Sequence, residues 1–267
     1  MSQKTAPKLV KKTEKAEKVS PLPGLPVRML IPNMITIAGL CAGVTAIRFA
    51  IMGSFTIAIF AIIFAALCDG LDGRVARMLK GTSQFGVELD SLSDMVSFGV
   101  APALMVYLWT LQDLPRFGWT ISLVFVACAA LRLARFNTRS SGEDDPKLVA
   151  MNKKFFVGVP MPAAAYLALT PLFLSKGVDK AFFTEPLVVA VFFLAVSALM
   201  VSRVPTFAFK SMHLPYYVTL PTLIGVAIWM SFLMSDPWVA LAALGFLYLL
   251  TIPLSILRYW KLTSQSA

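Results

Sequence analysis

Long apolar runs alternate with short polar segments along most of the chain. From about residue 30 onward, these runs approach the roughly 20 residues that a helix needs to cross a bilayer. Backbone N–H and C=O groups in lipid have to pair within the chain, which favours helices packed as a bundle. We therefore predict an all-α polytopic membrane helix bundle with eight spans, at about 32–52, 55–79, 87–109, 117–136, 160–176, 186–204, 214–234 and 237–257.

Composition supports a membrane domain preceded by a polar tail. Hydrophobic residues make up 58% of the chain and charged residues 14%, which does not fit a soluble protein. The first 28 residues differ, because they are rich in lysine and contain few apolar side chains. We predict a basic, disordered cytoplasmic tail over residues 1–28, attracted to anionic lipid, and one membrane domain over residues 29–267.

The formal net charge of +10 comes mainly from basic residues between the apolar runs. With eight spans and the N-terminus inside, twenty of the 24 lysines and arginines fall on the inner side. The outer four are Arg48, Arg116, Lys176 and Lys180. This asymmetry is expected of cytoplasmic loops, so we place both termini in the cytoplasm. The basic residues form no single stripe interleaved with aromatic residues, so we expect the bilayer and no nucleic acid as a partner.

Charged residues interrupt the second and third apolar runs, between residues 68 and 94. The apolar part of the second run covers only about 21 Å as a helix, less than a bilayer core of about 30 Å. We expect the helix to continue through its charged residues. Asp69 and Asp72 then share one helical face, and Asp90 and Asp94 share a face of the next helix. Two helices joined by a short loop can direct these four carboxylates toward one another near the cytoplasmic headgroups.

Four carboxylates at membrane depth require cations, because each uncompensated charge there costs about 2.5–3.5 kcal/mol. Ligands that are all oxygen suit hard divalent ions. The single histidine, His213, and three separated cysteines offer no softer metal site. We therefore predict that the four aspartates bind Mg²⁺ or Mn²⁺.

Small residues and one arginine accompany the aspartates. Gly73, Ala76 and Gly86 leave room for a bulky ligand near the backbone, although close helix packing is an alternative explanation. Arg77 offers a guanidinium group to phosphate oxygens, although it could also anchor the helix as a cytoplasmic positive charge. A diphosphate would fit such a site.

The spacing of these residues resembles a known family. The pattern D-x2-D-G-x2-A-R-x8-G-x3-D-x3-D is the signature of the CDP-alcohol phosphatidyltransferases, and the chain matches it at Asp69, Asp72, Gly73, Ala76, Arg77, Gly86, Asp90 and Asp94. The resemblance implies that the first three aspartates bind two divalent ions, that Asp94 binds metal and acts as general base, and that Gly73 and Arg77 hold CDP-diacylglycerol.

The resemblance also extends to three further polar positions. It implies that Ser83 contacts the nucleotide substrate and that Asn33 and Thr36, at the start of the first span, contact CDP-diacylglycerol. Capping of the helix after Pro32 is an equal alternative for the last two.

Three further segments, residues 97–102, 132–137 and 156–162, resemble the bacterial serine-transferring branch of the family. The resemblance implies L-serine as the acceptor and the bacterial inner membrane as the location. The distribution of positive charge places the site on the cytoplasmic side. Arg132, Arg135 and Asn137 lie at the cytoplasmic end of the fourth span, where a guanidinium group could bind the carboxylate of serine. Anchoring by positive charge is the alternative for both arginines.

The predicted reaction is in-line transfer of the phosphatidyl group to the hydroxyl of serine, which yields phosphatidylserine and CMP. Glycerol 3-phosphate, inositol phosphate and choline are alternative acceptors, and Lys153 and Lys154 could bind an acceptor phosphate. A cation transporter is a remote alternative, because the aspartates cluster at one end of two neighbouring helices. A homodimer remains an alternative to a monomer.

Overall fold

The computed structural model describes residues 27–79, 81, 83–140, 155–178, 181–202, 205–207 and 216–264. Helices dominate these residues. The first half contains α1 (Val27–Ile51), α2 (Phe55–Met78), α3 (Gln84–Asp94), α4 (Ala101–Trp109) and α5 (Gly118–Ser140). The second half contains α6 (Met161–Ala168), α7 (Thr170–Gly177), α8 (Pro186–Val201), α9 (Tyr216–Ser235) and α10 (Pro237–Ser264). A π-helical segment (Met95–Val100) joins α3 to α4, and two 3₁₀ turns cover Leu111–Asp113 and Ala181–Phe183.

The helices of the structure lie where the sequence has its long apolar runs. Their length and apolar composition indicate a helical membrane bundle. Four helical stretches are long and apolar enough to cross a bilayer, namely Leu30–Ile51, Phe55–Met78, Gln84–Trp109 and Gly118–Thr138. Three shorter apolar helices, Pro186–Val201, Thr219–Ser235 and Pro237–Pro253, follow in the part of the chain that the structure describes. The number of eight spans remains a prediction.

The fifth apolar run is divided into two helices. The break falls at Leu169, between α6 and α7, and Pro171 lies in the first turn of α7. Proline has no N–H group to continue the hydrogen bonds of a preceding helix, but it fits the first turn of a new one. One predicted span is therefore two short helices in sequence.

A short antiparallel ribbon departs from the all-α prediction. Strand β1 (Phe155–Val157) pairs with β2 (Pro205–Phe207), and Phe156 lies opposite Thr206. Gly158 follows β1 with φ of 81°, in the left-handed region that favours glycine. A Cβ atom there would also lie 2.9 Å from the carbonyl oxygen of Met200. The ribbon was not predicted because three-residue strands give no clear alternating pattern.

The core and the outer surface are both apolar. Large side chains fill the interior, and the rings of Phe125 on α5 and Phe193 on α8 stack with their centres 4.4 Å apart. Outward-facing positions are also apolar, and Leu67 on α2 is 59% exposed. Many large apolar side chains are exposed on these helices, as is typical of protein that faces lipid.

Helix α1 packs closely on the helical rod formed by α3, the π-helical segment and α4. Gly39 and Gly43 lie one turn apart on α1, and a Cβ atom at Gly43 would lie 2.8 Å from the Cα atom of Ser97. The hydroxyl group of Ser97 donates a 3.3 Å hydrogen bond to the carbonyl oxygen of Gly39. Small residues of this spacing allow membrane helices to approach backbone to backbone. This contact fixes α1 beside the helix that carries Asp90 and Asp94.

Candidate active site

Three aspartates converge where α2 and α3 approach each other. Asp69 and Asp72 lie about one turn apart near the C-terminal end of α2, and Asp90 lies on α3. One carboxylate oxygen from each of the three lies within 4.8 Å of those of the other two. Asp72 is only 5% exposed, whereas Asp69 and Asp90 are half-buried. The approach of these three carboxylates is as the helical periodicity of the sequence predicted.

The fourth aspartate, Asp94, lies at the end of α3 beside this triad. Its carboxyl group is within hydrogen-bonding contact of that of Asp69. Two carboxyl groups in contact require a shared proton or a nearby cation. The π-helical segment begins immediately after Asp94, and such segments are frequent at functional sites.

The donor atoms of the triad fit a hard divalent ion. All three ligands are carboxylates, which suit Mg²⁺ or Mn²⁺. Within the described residues, no histidine or cysteine joins this group. The buried position of Asp72 supports the same conclusion, because a carboxylate removed from water needs a compensating charge. The site therefore fits a divalent metal.

A cavity of about 280 Å³ opens beside the triad. It is lined by all five residues that the sequence assigned to CDP-diacylglycerol, namely Asn33, Thr36, Gly73, Arg77 and Ser83. Asp72, Ala76, Gly86 and Asp90 also line it, as do Pro32, Gly81 and Val87, which the sequence analysis had not assigned to the site. The structure brings these residues together, and their roles in substrate binding remain predictions.

The wall of the cavity is formed where α1 meets the start of α3. Ser83 caps α3, since its hydroxyl oxygen accepts a 3.0 Å hydrogen bond from the backbone N–H of Gly86. A Cβ atom at Gly86 would lie 3.0 Å from the side-chain oxygen of Asn33. Glycine at this position therefore lets α1 and α3 approach closely.

Hydrogen bonds connect the three helices around the triad. The hydroxyl group of Thr36 on α1 donates to Oδ2 of Asp72 at 2.6 Å. The hydroxyl group of Ser93 on α3 donates to the carbonyl oxygen of Thr36 at 3.3 Å. The sequence analysis did not identify Ser93, although its position three residues after Asp90 could have indicated that it lies near the site.

The three residues proposed to bind serine have different partners in the structure. Arg132 interacts through its charge with Asp94, and its buried Nε atom has no hydrogen-bond partner among the described residues. Arg135 donates hydrogen bonds to the carbonyl oxygens of Val201 at 2.9 Å and Ser202 at 3.3 Å, at the end of α8. Asn137 donates to the hydroxyl oxygen of Ser91 on α3 at 3.0 Å. Arg135 and Asn137 thus hold helices together, whereas Arg132 faces the aspartate cluster.

Some residues of the sequence analysis lie outside the described part of the structure. They are Lys153, Lys154, Lys180, His213 and the tail over residues 1–26. Binding of an acceptor phosphate by Lys153 and Lys154 therefore stays a prediction from the sequence.

Comparison with known proteins gives two matching family models. One, described as CDP-alcohol phosphatidyltransferase, matches residues 29–203. The other, described as CDP-alcohol phosphatidyltransferase 2, matches residues 218–253. The first match contains the aspartate cluster and every residue that lines the cavity.

Two relatives of the chain carry the name CDP-diacylglycerol–serine O-phosphatidyltransferase. The protein from Mycobacterium leprae is 36% identical over 227 residues, which cover 85% of this chain and 74% of that protein. The protein from Helicobacter pylori strain 26695 is 36% identical over 230 residues, which cover 83% of this chain and 88% of that protein. With a family model that matches well over half of the chain, these similarities show that the chain belongs to the CDP-alcohol phosphatidyltransferase family.

Proposed function

We propose that this chain transfers the phosphatidyl group of CDP-diacylglycerol to the hydroxyl group of L-serine, forming phosphatidylserine and CMP. The observation that carries the proposal is the aspartate triad beside the 280 Å³ cavity. This cavity is lined by the five residues that the sequence assigned to CDP-diacylglycerol. The bacterial relatives named for transfer to serine support the acceptor.

The four aspartates are proposed to hold two divalent ions, Mg²⁺ or Mn²⁺. Asp69, Asp72 and Asp90 supply the closely spaced oxygens, and Asp94 lies in contact with Asp69. Bound ions would neutralise these carboxylates and stabilise negative charge on the diphosphate of the substrate.

Gly73 and Arg77 are proposed to receive the diphosphate. A Cβ atom at Gly73 would have no neighbour within 4 Å, so protein packing does not require glycine there. Its small size instead leaves space in the cavity for a ligand near the backbone. Arg77 lines the same cavity and can donate two parallel hydrogen bonds to phosphate oxygens.

Asp94 is proposed to be the general base. It would accept the proton of the serine hydroxyl group while the serine oxygen forms a bond to the lipid-bearing phosphorus. The bond from that phosphorus to the oxygen of CMP breaks, and CMP leaves. The contact of Asp94 with Asp69 supports this assignment, because it brings the Asp94 carboxyl group next to the triad.

Arg132 is proposed to bind the carboxylate of serine. Its guanidinium group lies near Asp94, and its buried Nε atom lacks a partner among the described residues. A buried donor without a partner is costly, so a ligand that accepts its hydrogen bond would be favoured. Arg135 and Asn137 are proposed to support this subsite, since they fix α5 against α8 and α3.

The proposed topology has eight spans, with both termini and the active site on the cytoplasmic side of a bacterial inner membrane. The uneven distribution of lysine and arginine along the sequence supports it. Labelling of single cysteines introduced at positions 116 and 176 tests this topology. A reagent that cannot cross the membrane should reach both from outside, and protection of either would contradict the topology.

An acceptor experiment tests the proposed function. Purified full-length protein in lipid–detergent micelles receives CDP-diacylglycerol, a divalent ion and one acceptor: serine, glycerol 3-phosphate, inositol phosphate or choline. We expect serine alone to give lipid product and CMP in equal amounts. Faster turnover with another acceptor would assign the chain to a different branch of the family.

A further inference from the structure

Thr36 lies on the face of α1 that meets the aspartate cluster. Its hydroxyl group has one proton and two acceptors in reach, Oδ2 of Asp72 at 2.6 Å and the carbonyl oxygen of Pro32 at 3.1 Å. A hydrogen bond to a charged oxygen is the stronger of the two types, and here it is also the shorter. The hydroxyl group of Thr36 therefore donates its proton to Asp72.

Both partners of this hydrogen bond are buried. Thr36 and Asp72 are each 5% exposed. Water therefore has little access to replace the hydroxyl group if it is removed. A carboxylate offers about four acceptor positions, so one hydrogen bond can fix its orientation and leave the others for a cation.

The backbone of Thr36 is held by a second helix. Ser93 on α3 donates its hydroxyl proton to the carbonyl oxygen of Thr36 at 3.3 Å. Ser93 lies between Asp90 and Asp94 in the sequence. One residue of α1 thus contacts both helices that carry the aspartates.

The neighbouring polar residue of α1 has a different environment. Asn33, one turn before Thr36, is 8% exposed and lines the same cavity. Among the described residues, the hydrogen bonds that join α1 to the aspartate-bearing helices are made by Thr36 and Ser93 and not by the Asn33 side chain. The hydroxyl proton of Thr36 is not free, and the two residues need not share one role.

We propose that Thr36 is a positioning residue that orients the Asp72 carboxylate for metal binding, in place of the direct contact with CDP-diacylglycerol that the sequence suggested. The inference rests on the proposed metal role of Asp72. Groups that hydrogen-bond to metal ligands typically change metal affinity about 10–100-fold when they are removed. Loss of the Thr36 hydroxyl group should have an effect of this size.

Manganese binding without any substrate tests the inference. Full-length protein in detergent is stripped of metal and titrated with Mn²⁺, and free Mn²⁺ is measured by electron paramagnetic resonance. Thr36→Val, which keeps the shape but removes the donor, should bind Mn²⁺ about 10–100-fold more weakly than the wild type. Thr36→Ser, which keeps the hydroxyl group, should bind Mn²⁺ nearly as tightly as the wild type.

Thr45→Val is the matched control on the same helix. The exposed Thr45 hydroxyl group also donates a short hydrogen bond, 2.6 Å, but only to the carbonyl oxygen of Cys41 within α1. This variant should bind Mn²⁺ as the wild type does. Thermal unfolding of each variant confirms that it is folded, and Thr36→Ala replaces Thr36→Val if the valine variant does not fold.

Two results would overturn the inference, and they have separate meanings. Unchanged Mn²⁺ binding by Thr36→Val, with a raised KM for CDP-diacylglycerol at saturating Mn²⁺, would make Thr36 a substrate contact. Equal Mn²⁺ binding by the wild type and Asp72→Asn would instead remove Asp72 from the metal site, and with it this part of the proposed function.

Discussion

Replacing Arg132 with alanine should impair the use of serine much more than the binding of CDP-diacylglycerol. Arg132 lies on α5 near Asp94, and it is not among the residues that line the 280 Å³ cavity. Its Nε atom is buried and has no hydrogen-bond partner among the described residues, as expected of a donor reserved for a ligand. The proposed acceptor site at Arg132 would thus be separate from the cavity proposed for the lipid substrate.

The size of the effect follows from the contact that would be lost. A hydrogen bond to a charged group contributes about 1.5–3 kcal/mol, which corresponds to roughly 10- to 150-fold in kcat/KM for serine. The KM for CDP-diacylglycerol should change much less. The assay is the initial rate of CMP release in mixed micelles, with each substrate varied in turn while the other is saturating.

Arg135→Ala is the comparison variant. Arg135 donates to the carbonyl oxygens of Val201 and Ser202, so its loss should lower the melting temperature and reduce serine kcat/KM less than Arg132→Ala does. Equal losses for both substrates in Arg132→Ala, or unchanged serine kinetics, would refute the reasoning. Arg132 would then be only a cytoplasmic positive charge.

Three further substitutions test other parts of the account. Asp94→Asn should keep most CDP-diacylglycerol binding but lose about 10²–10⁴-fold in turnover, as steady-state rates and equilibrium binding would show, and an active variant would remove the base role. Arg77→Lys should raise the KM for CDP-diacylglycerol, because an ammonium group cannot make two parallel hydrogen bonds to phosphate; an unchanged KM would leave Arg77 as an anchor. Gly43→Ala should destabilise the protein by about 1–3 kcal/mol in thermal unfolding, since the new Cβ atom would lie 2.8 Å from the Cα atom of Ser97. Gly225→Ala, with open space at that position, should cause no such loss, and equal stability of the two variants would contradict the close contact.

The positions of the helices could be predicted because lipid imposes a simple rule on the sequence. A segment in lipid has to be apolar and internally hydrogen-bonded, so each long apolar run marks a helix. The same rule does not indicate where one apolar run is divided into two helices. The break at Leu169 depends on Pro171 and the ribbon depends on Gly158, and these local features leave the average hydropathy almost unchanged.

The convergence of the aspartates could also be predicted, because steps of three and four residues place side chains on one helical face. The contacts between side chains of different helices could not be predicted. The hydrogen bond from Thr36 to Asp72 joins residues 36 positions apart, and that from Arg135 to Val201 joins residues 66 positions apart. Such pairs depend on how helices pack, and a single sequence carries no direct signal for them.

The most direct test of the central claim is the metal dependence of transfer to serine. Purified full-length protein is stripped of metal, supplied with CDP-diacylglycerol and serine, and titrated with Mg²⁺ or Mn²⁺ while phosphatidylserine and CMP are measured. The account predicts no turnover without the ion, equal amounts of both products with it, and little or no turnover at any ion concentration in Asp90→Asn. Full turnover by the stripped protein in excess chelator, or wild-type turnover by Asp90→Asn, would contradict the account.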